Sequence, residues 1–272
     1  MKREQPLRMM SRPRKRFGQH FLEAPWVAKL IESLGARPGD TFLEIGPGRG
    51  ALTKPLASRV RRLIAVEIDR DLAGALRSEV PPNVRIVEED FLDVDIDDVL
   101  RGEPSPVRVV GNLPYNISSP ILFKLLAVQD AGRRFSDATL MLQREVADRV
   151  VAAPGGRDYG ALAIQVALHA DVERVLALPA GGFRPPPKVL SAVVRLRFRP
   201  PAADVGDPLV FERVVRGIFG QRRKMLANAL KPVADARGRS AAQVLQSAGI
   251  DGRRRPESLT LEEISRVSRA VL

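Results

Sequence analysis

The chain contains no cysteine. That excludes a disulfide framework, a cysteine-ligated metal centre and thiol catalysis, and it suits a cytoplasmic setting. Its two histidines, His20 and His169, stand too far apart to suggest a metal site. No run of about 18 apolar residues occurs, so no segment is expected to span a bilayer. The basic N-terminus, MKREQPLRMMSRPRKRF, is followed by no apolar stretch of a secretory signal. It also lacks the wide apolar stripe of a helix that lies on a membrane. Aromatic residues are scarce, with one tryptophan and two tyrosines in 272 residues. Positive charge is what the chain has in excess. A net charge of +12 points to a polyanion, and with membrane features missing, nucleic acid is the expected partner. At 44% hydrophobic and 28% charged, the chain should fold. Its length allows one large α/β domain plus a smaller one.

Periodicity predicts alternating strands and helices from about residue 26. A helix over 26–34 precedes the strand of DTFLEIGPGRG, and a helix over 50–58 leads to the strand 62–69. A helix over 70–79 leads to a strand at 83–90, and a further strand covers 107–110. Ser118 or Ser119 can cap the next helix, with Pro120 at its first position. DATLMLQ reads as a strand and EVADRVVAA as the helix after it. This alternation predicts a doubly wound and mostly parallel sheet. Two later strands, near 171–177 and 190–197, can pair antiparallel at one sheet edge, joined by a long Pro-rich loop. After a second Pro-rich stretch only helical patterns follow, near 208–219, 222–234, 240–248 and 260–270. The expected organisation is a basic arm over 1–16, an α/β domain over 17–199 and a small all-helical domain over 207–272.

In such a sheet, ligands sit at the carboxyl ends of the strands. The first long strand ends in Glu44-Ile45-Gly46-Pro47-Gly48-Arg49-Gly50, the second in Glu67-Ile68-Asp69 and the third in Glu88-Glu89-Asp90-Phe91. A glycine-rich turn with an acidic residue some twenty positions on is also a dinucleotide signature. Here, however, the glycines are spaced G-x-G-x-G, and Pro47 removes a backbone donor from the turn. Carboxylates at Glu44, Glu67 and Asp90 would repel a pyrophosphate and suit a cationic ligand that carries a ribose. S-adenosylmethionine is such a ligand, and it is favoured over a nicotinamide dinucleotide.

The fourth strand ends in GNLPYN, residues 111–116. Asn112-Leu113-Pro114-Tyr115 matches the general pattern of methyltransferases that act on an exocyclic amine. Such an amine is a poor nucleophile because its lone pair is delocalised into the ring. The Asn112 side-chain oxygen and a nearby backbone carbonyl, that of Leu113, can each accept one N–H. The nitrogen is thereby drawn towards tetrahedral geometry, its lone pair aimed at the methyl donor. Pro114 stiffens the turn, and Tyr115 offers a face for a base. Phe183, on the loop between the last two strands, is expected to stack on the other face, and Lys188 to meet a phosphate.

With these residues in view, the chain resembles the KsgA/RsmA family of ribosomal small-subunit adenine dimethyltransferases. The likeness rests on GQHFL (18–22), LEIGPGRGALT (43–53), VEID (66–69), EEDFLD (88–93), GNLPYNISSPIL (111–122), FRPPPKVLSAVVRL (183–196) and FGQRRKMLANAL (219–230). The resemblance implies a Rossmann-like methyltransferase domain with a helical C-terminal domain. It implies methyl transfer from S-adenosylmethionine to N6 of two adjacent adenosines near the 3′ end of 16S ribosomal RNA; the protein is expected to act as a monomer. It also implies that His20, Leu22, Gly46, Glu67, Asp90 and Asn112 line the cofactor site, Glu67 taking the ribose hydroxyls and Asp90 the adenine amine. Gly48, Ile68 and Phe91, at the same strand ends, complete the expected cofactor set. Many relatives carry asparagine where this chain has His20, whose imidazole can still donate a hydrogen bond. A flipped adenine costs a few kcal/mol to unstack, and Arg222, Arg223, Lys224 and the basic arm are expected to offset this through phosphate contacts. Two other readings stay open: an Erm-type methyltransferase of large-subunit RNA, and a non-catalytic RNA-binding assembly factor on the same fold.

Overall fold

The structure is a computed structural model that describes residues 20–132 and 134–272. The expected basic arm over 1–16 lies outside the described residues. The α/β part runs β1 (Phe21–Leu22), α1 (Ala24–Leu34), β2 (Thr41–Ile45), α2 (Thr53–Ala57), β3 (Arg62–Glu67), α3 (Arg70–Arg77), β4 (Val84–Glu88) and α4 (Ile96–Val99). It continues through β5 (Val107–Asn112), α5 (Ser118–Gly132), β6 (Phe135–Gln143), α6 (Arg144–Val150), α7 (Ala161–His169), β7 (Ala170–Leu178), β8 (Phe183–Arg184) and β9 (Ser191–Phe198). Four helices follow: α8 (Pro208–Gly220), α9 (Leu226–Asp235), α10 (Ala241–Ala248) and α11 (Leu261–Val271).

Seven strands form one sheet in the order β4-β3-β2-β5-β6-β9-β7. The first five are mutually parallel, and β9 lies antiparallel between β6 and β7. The doubly wound sheet and its antiparallel edge pair are thus as expected from the sequence. The chain leaves β2 towards one edge and returns to place β5 on the other side of β2, so a crevice opens between the carboxyl ends of these two strands. Register sets Ile45 opposite Gly111, which brings the glycine turn and the GNLPY segment side by side. Every residue of β2 is buried, as for a parallel strand covered on both faces. Leu43, Ile45, Ile64, Val109, Ile121 and Leu125 fill one face of the sheet. Phe42, Leu63, Leu30, Leu34 and Met141 fill the other. Each such side chain contributes roughly 1.5–3 kcal/mol by leaving water.

Several boundaries differ from the sequence expectation. Strand β5 does not stop at 110; it runs to Asn112, with Gly111 paired to Leu140. A Cβ on Gly111 would lie 3.0 Å from the Ile45 carbonyl oxygen and 2.9 Å from Leu113 Cδ2. This glycine therefore allows two strands to approach closely and does not break the strand. Helix α2 is shorter than 50–58 because Gly50 has φ +77° and belongs to the preceding turn. Helix α5 starts at Ser118 itself, whose hydroxyl donates back to the Tyr115 carbonyl. Residues 221–224 are a turn between α8 and α9, closed by Lys224 N–H donating to the Gln221 carbonyl, and are not the start of a helix. The helical core of Phe211, Val214, Ile218, Leu230, Val244 and Ile264 also takes Tyr159, Ala163, Ile164 and Leu168 from α7 and the loop before it.

Candidate active site

A cavity of about 270 Å³ opens at the β2/β5 crevice. The four residues Asn112 to Tyr115 line it, as do His20, Leu22, Gly46, Gly48, Glu67, Ile68, Asp90 and Phe91. The strand ends that the sequence singled out therefore converge on one space.

The cavity floor is the glycine turn. Gly46 and Gly48 have φ +65° and +57°, a left-handed conformation that other residues adopt only with strain. A Cβ on Gly48 would also meet the Phe21 ring at 3.2 Å. The Gly48 N–H donates to Glu67 Oε2 at 2.9 Å, while Glu67 Oε1 accepts the Asp69 N–H at 2.8 Å. Burial raises the Glu67 pKa, and these two backbone donors oppose the rise. The turn thus points a backbone donor at a carboxylate and not at a phosphate. This observation separates the site from a dinucleotide cradle.

Glu44, on β2, adds a second buried acid. It is 1% exposed, and its Oε2 has no hydrogen-bond partner. Burial pushes its pKa up to about 8; the Thr53 hydroxyl lowers it somewhat without forming a well-made hydrogen bond, and Glu67 raises it further. An unpartnered buried carboxylate facing a cavity suits a cationic ligand. At the far end, Asp90 Oδ1 accepts the Leu92 N–H at 2.8 Å, which fixes the carboxylate and leaves Oδ2 without a hydrogen bond among the described residues. Ile68 is 47% exposed at the rim and Phe91 is buried beside it, so this end offers apolar surface next to an acid. The residues present fit a ligand with an ammonium or sulfonium, a ribose and an adenine.

The GNLPY segment is held from several sides. Asn112 Nδ2 donates to the His20 carbonyl oxygen at 2.9 Å. Because a carbonyl only accepts, the Asn112 amide must present its nitrogen there and keep Oδ1 as a free acceptor. The Leu113 N–H donates to the Met141 carbonyl at 3.2 Å, and the Ile117 N–H to the Pro114 carbonyl at 3.2 Å. Tyr115 shares a 2.6 Å hydrogen bond between its hydroxyl and Ser191 Oγ. Burial raises its pKa, and Ser191 lowers it. The His20 ring stacks on Tyr115 at a centroid distance of 5.6 Å. Its Nδ1 lies 2.8 Å from the Pro185 carbonyl and so must carry the proton of that bond.

Other expected residues fall elsewhere. Phe183 does not offer a stacking face: it is 0% exposed and packs with Leu22, Leu30, Met141 and Val193. The reason is local, since Phe183 pairs with Leu22 in the β1–β8 ladder and its side chain turns inward while Arg184 turns out. Lys188 is exposed on the loop between β8 and β9, away from the cavity lining. Arg223 and Lys224 are exposed on the α8–α9 turn, and Arg222 donates to the Arg157 carbonyl at 3.0 Å. Sequence reasoning missed Lys124 on α5. Its Nζ donates to the carbonyls of Leu92 (2.9 Å) and Val94 (2.5 Å) and lies 5.6 Å from the Phe91 ring centroid. Burial lowers its pKa, and Asp93, Asp90 and Asp95 counter this. Ser191 was missed as well; a lone lysine in an apolar helix and a serine at a strand start carry no pattern. Among the described residues no cluster of side chains suits a metal ion, and no helix is long and apolar enough to cross a membrane.

A Rossmann-like sheet, an acidic strand-end cavity and an amide acceptor beside it define a methyltransferase that uses S-adenosylmethionine. The family model for ribosomal RNA adenine dimethylase matches residues 10–269, and the chain belongs to that family. It is 46% identical to a ribosomal RNA small subunit methyltransferase A of Alcanivorax borkumensis, over 93% of this chain and 88% of that protein. A protein of the same description from Geobacter metallireducens is 44% identical, over 96% of each chain. Among solved structures, a dimethyladenosine transferase from Plasmodium falciparum aligns with a TM-score of 0.77 at 25% identity, covering 91% of this chain and 96% of that one. The 23S rRNA methyltransferase ErmE aligns at 0.65 and 28% identity, covering 92% and 99%. The chain is an rRNA adenine dimethyltransferase.

Proposed function

We propose that this enzyme dimethylates N6 of two adjacent adenosines in the 3′-terminal hairpin of 16S ribosomal RNA, acting as a single chain on the small subunit in the cytoplasm. The observation that carries the amine chemistry is the Asn112 amide, held by the His20 carbonyl so that Oδ1 remains an acceptor at the cavity wall. The choice of small-subunit RNA follows the relatives of that description at 42–46% identity, against 28% for ErmE.

S-adenosylmethionine, when bound, supplies an electrophilic methyl on a sulfonium. In this reading Glu67 takes the ribose hydroxyls with the lone pairs its two N–H partners leave over. Asp90 takes the adenine amine, Ile68 and Phe91 cover the adenine faces, and His20, Leu22, Gly46 and Gly48 complete the wall. Asn112 Oδ1 and the Leu113 carbonyl accept the two N–H groups of the target amine, so its lone pair leaves conjugation as the methyl approaches. Pro114 holds the turn, and Tyr115 gives the base a stacking face worth roughly 1–3 kcal/mol. The proton shed after transfer goes to water, because the methylated nitrogen is acidic. Lys188, Arg222, Arg223 and Lys224 meet phosphates.

The test supplies labelled methyl donor with under-methylated small subunits, large subunits or naked RNA. Dimethyladenosine is expected in small-subunit RNA. Its appearance in large-subunit RNA alone would overturn the reading.

A further inference from the structure

The loop between β8 and β9 carries two adjacent aliphatic side chains in solvent, Val189 at 43% exposure and Leu190 at 45%. Core packing does not account for them. The loop is fixed at both ends against the tyrosine of the site. At its start, the Pro185 carbonyl takes the His20 imidazole, which stacks on Tyr115. At its end, Leu190 immediately precedes Ser191, whose hydroxyl bonds the Tyr115 hydroxyl at 2.6 Å. The Leu190 carbonyl also accepts the Arg144 N–H at 2.9 Å, and Pro187 is buried beneath. The Val-Leu pair therefore sits on a proline-stiffened loop outside the cavity lining, tied to Tyr115 through the residue that follows it.

The surroundings are cationic. Lys188 is exposed next to the pair, and Arg184 and Arg144, with side chains 67% and 59% exposed, stand in loose surface ion pairs with Glu23 (3.5 Å) and Asp148 (3.7 Å) that a phosphate can displace. Aliphatic surface ringed by cations is complementary to a nucleic-acid strand, with bases against the apolar part and phosphates at the rim. Phe183 is buried and so does not supply the second stacking face that the sequence suggested. Some other group must keep a target base from falling back onto its neighbour.

We propose that Val189 and Leu190 form an aliphatic wedge that holds the RNA base next to the target adenine and prevents the two from restacking. This rests on the reading that the substrate is an adenine in ribosomal RNA. The wedge contributes to turnover by offsetting part of the unstacking cost, and it has no part in binding the methyl donor.

The experiment uses under-methylated small subunits carrying 2-aminopurine beside the target adenosine, whose fluorescence rises when it loses its stacking neighbour. Wild-type protein should raise it. The V189S/L190S variant, altered only at exposed positions, should bind the subunit and the donor as wild type does. It should lose the fluorescence rise and turn over about tenfold more slowly, and V189I/L190M should restore both. A wild-type rise and rate in V189S/L190S would overturn the wedge. So would loss of subunit binding by that variant with an unchanged rise on naked RNA, since the pair would then contact a ribosomal protein. Absence of adenine methylation by the wild-type protein would instead overturn the functional reading.

Discussion

Replacing Glu44 by glutamine should stabilise the donor-free protein by an amount that grows with pH. Glu44 lies on β2 between Glu67 of the adjacent strand and Thr53 of α2, and its register partner on β5 is Val110. Among the described residues no cation reaches it: Oε2 is unpartnered, and burial pushes the pKa up to about 8 from an ordinary 4.5. The unfolded chain releases this proton near 4.5, whereas the folded chain keeps it to about 8. Across that window the folded state binds more protons, so stability falls as pH rises. Each pKa unit corresponds to about 1.4 kcal/mol, which makes the whole window worth on the order of 5 kcal/mol, with no further loss above it. Glutamine does not ionise and escapes the cost. The assay is urea unfolding of wild type and E44Q without methyl donor at about pH 5, 7 and 9. The stability difference should widen from the first pH to the second and flatten towards the third. A difference independent of pH would refute the argument. The donor brings the missing positive charge, so its affinity for wild type should rise over the same window, and E44Q should bind it more weakly and without that slope.

Three further outcomes are expected. Asn112→Ala should lower the single-turnover methylation rate by at least about 100-fold while leaving subunit binding near wild type; full activity would remove Asn112 from the mechanism. Lys124→Met frees the Asp90–Val94 loop, so the KM for the methyl donor should rise about tenfold, roughly the loss of one charge-assisted hydrogen bond, with kcat changed far less. Phe183→Ala should cost about 3–5 kcal/mol in urea unfolding, as for a core phenylalanine, whereas Tyr115→Ala should leave stability closer to wild type and slow turnover. Equal stability losses in the two would contradict the assignment of Phe183 to the core.

The sheet was legible because helices such as α1 and α3 are amphipathic and the turns carry glycine or proline at the points of reversal. Helix α7 was not, and the cause is physical. Ala161–His169 is apolar on nearly every side, since Val166 packs in the core under the sheet while Ala163, Ile164 and Leu168 pack in the helical core. A helix buried between two cores shows no 3.6-residue alternation to read. The turn at 221–224 failed for the opposite reason: charged residues that favour helices anywhere sit where Gly220 has already ended α8.

Within the site, sequence spacing was sufficient for residues placed by strand ends and insufficient for residues placed by pairing between distant segments. Glu67 and Asn112 end parallel strands and Gly46 and Asp90 lie just past the ends of two others, so reading the strands placed them together. The two-residue strands β1 and β8 carry no periodic signal, yet their pairing decides that Phe183 faces the core. The same pairing brings His20, just before β1, against the loop after β8. His20 can then give its carbonyl to Asn112 and its imidazole to Pro185 while stacking on Tyr115. His20 entered the sequence reading as a residue of the cofactor wall, but its contacts tie the amide acceptor, the stacking tyrosine and the Pro-rich loop into one unit. A substitution there should therefore disturb the acceptor end of the reaction as well as the donor end. Asparagine, which keeps the backbone carbonyl but not the ring stack, should retain the Asn112 orientation and loosen Tyr115.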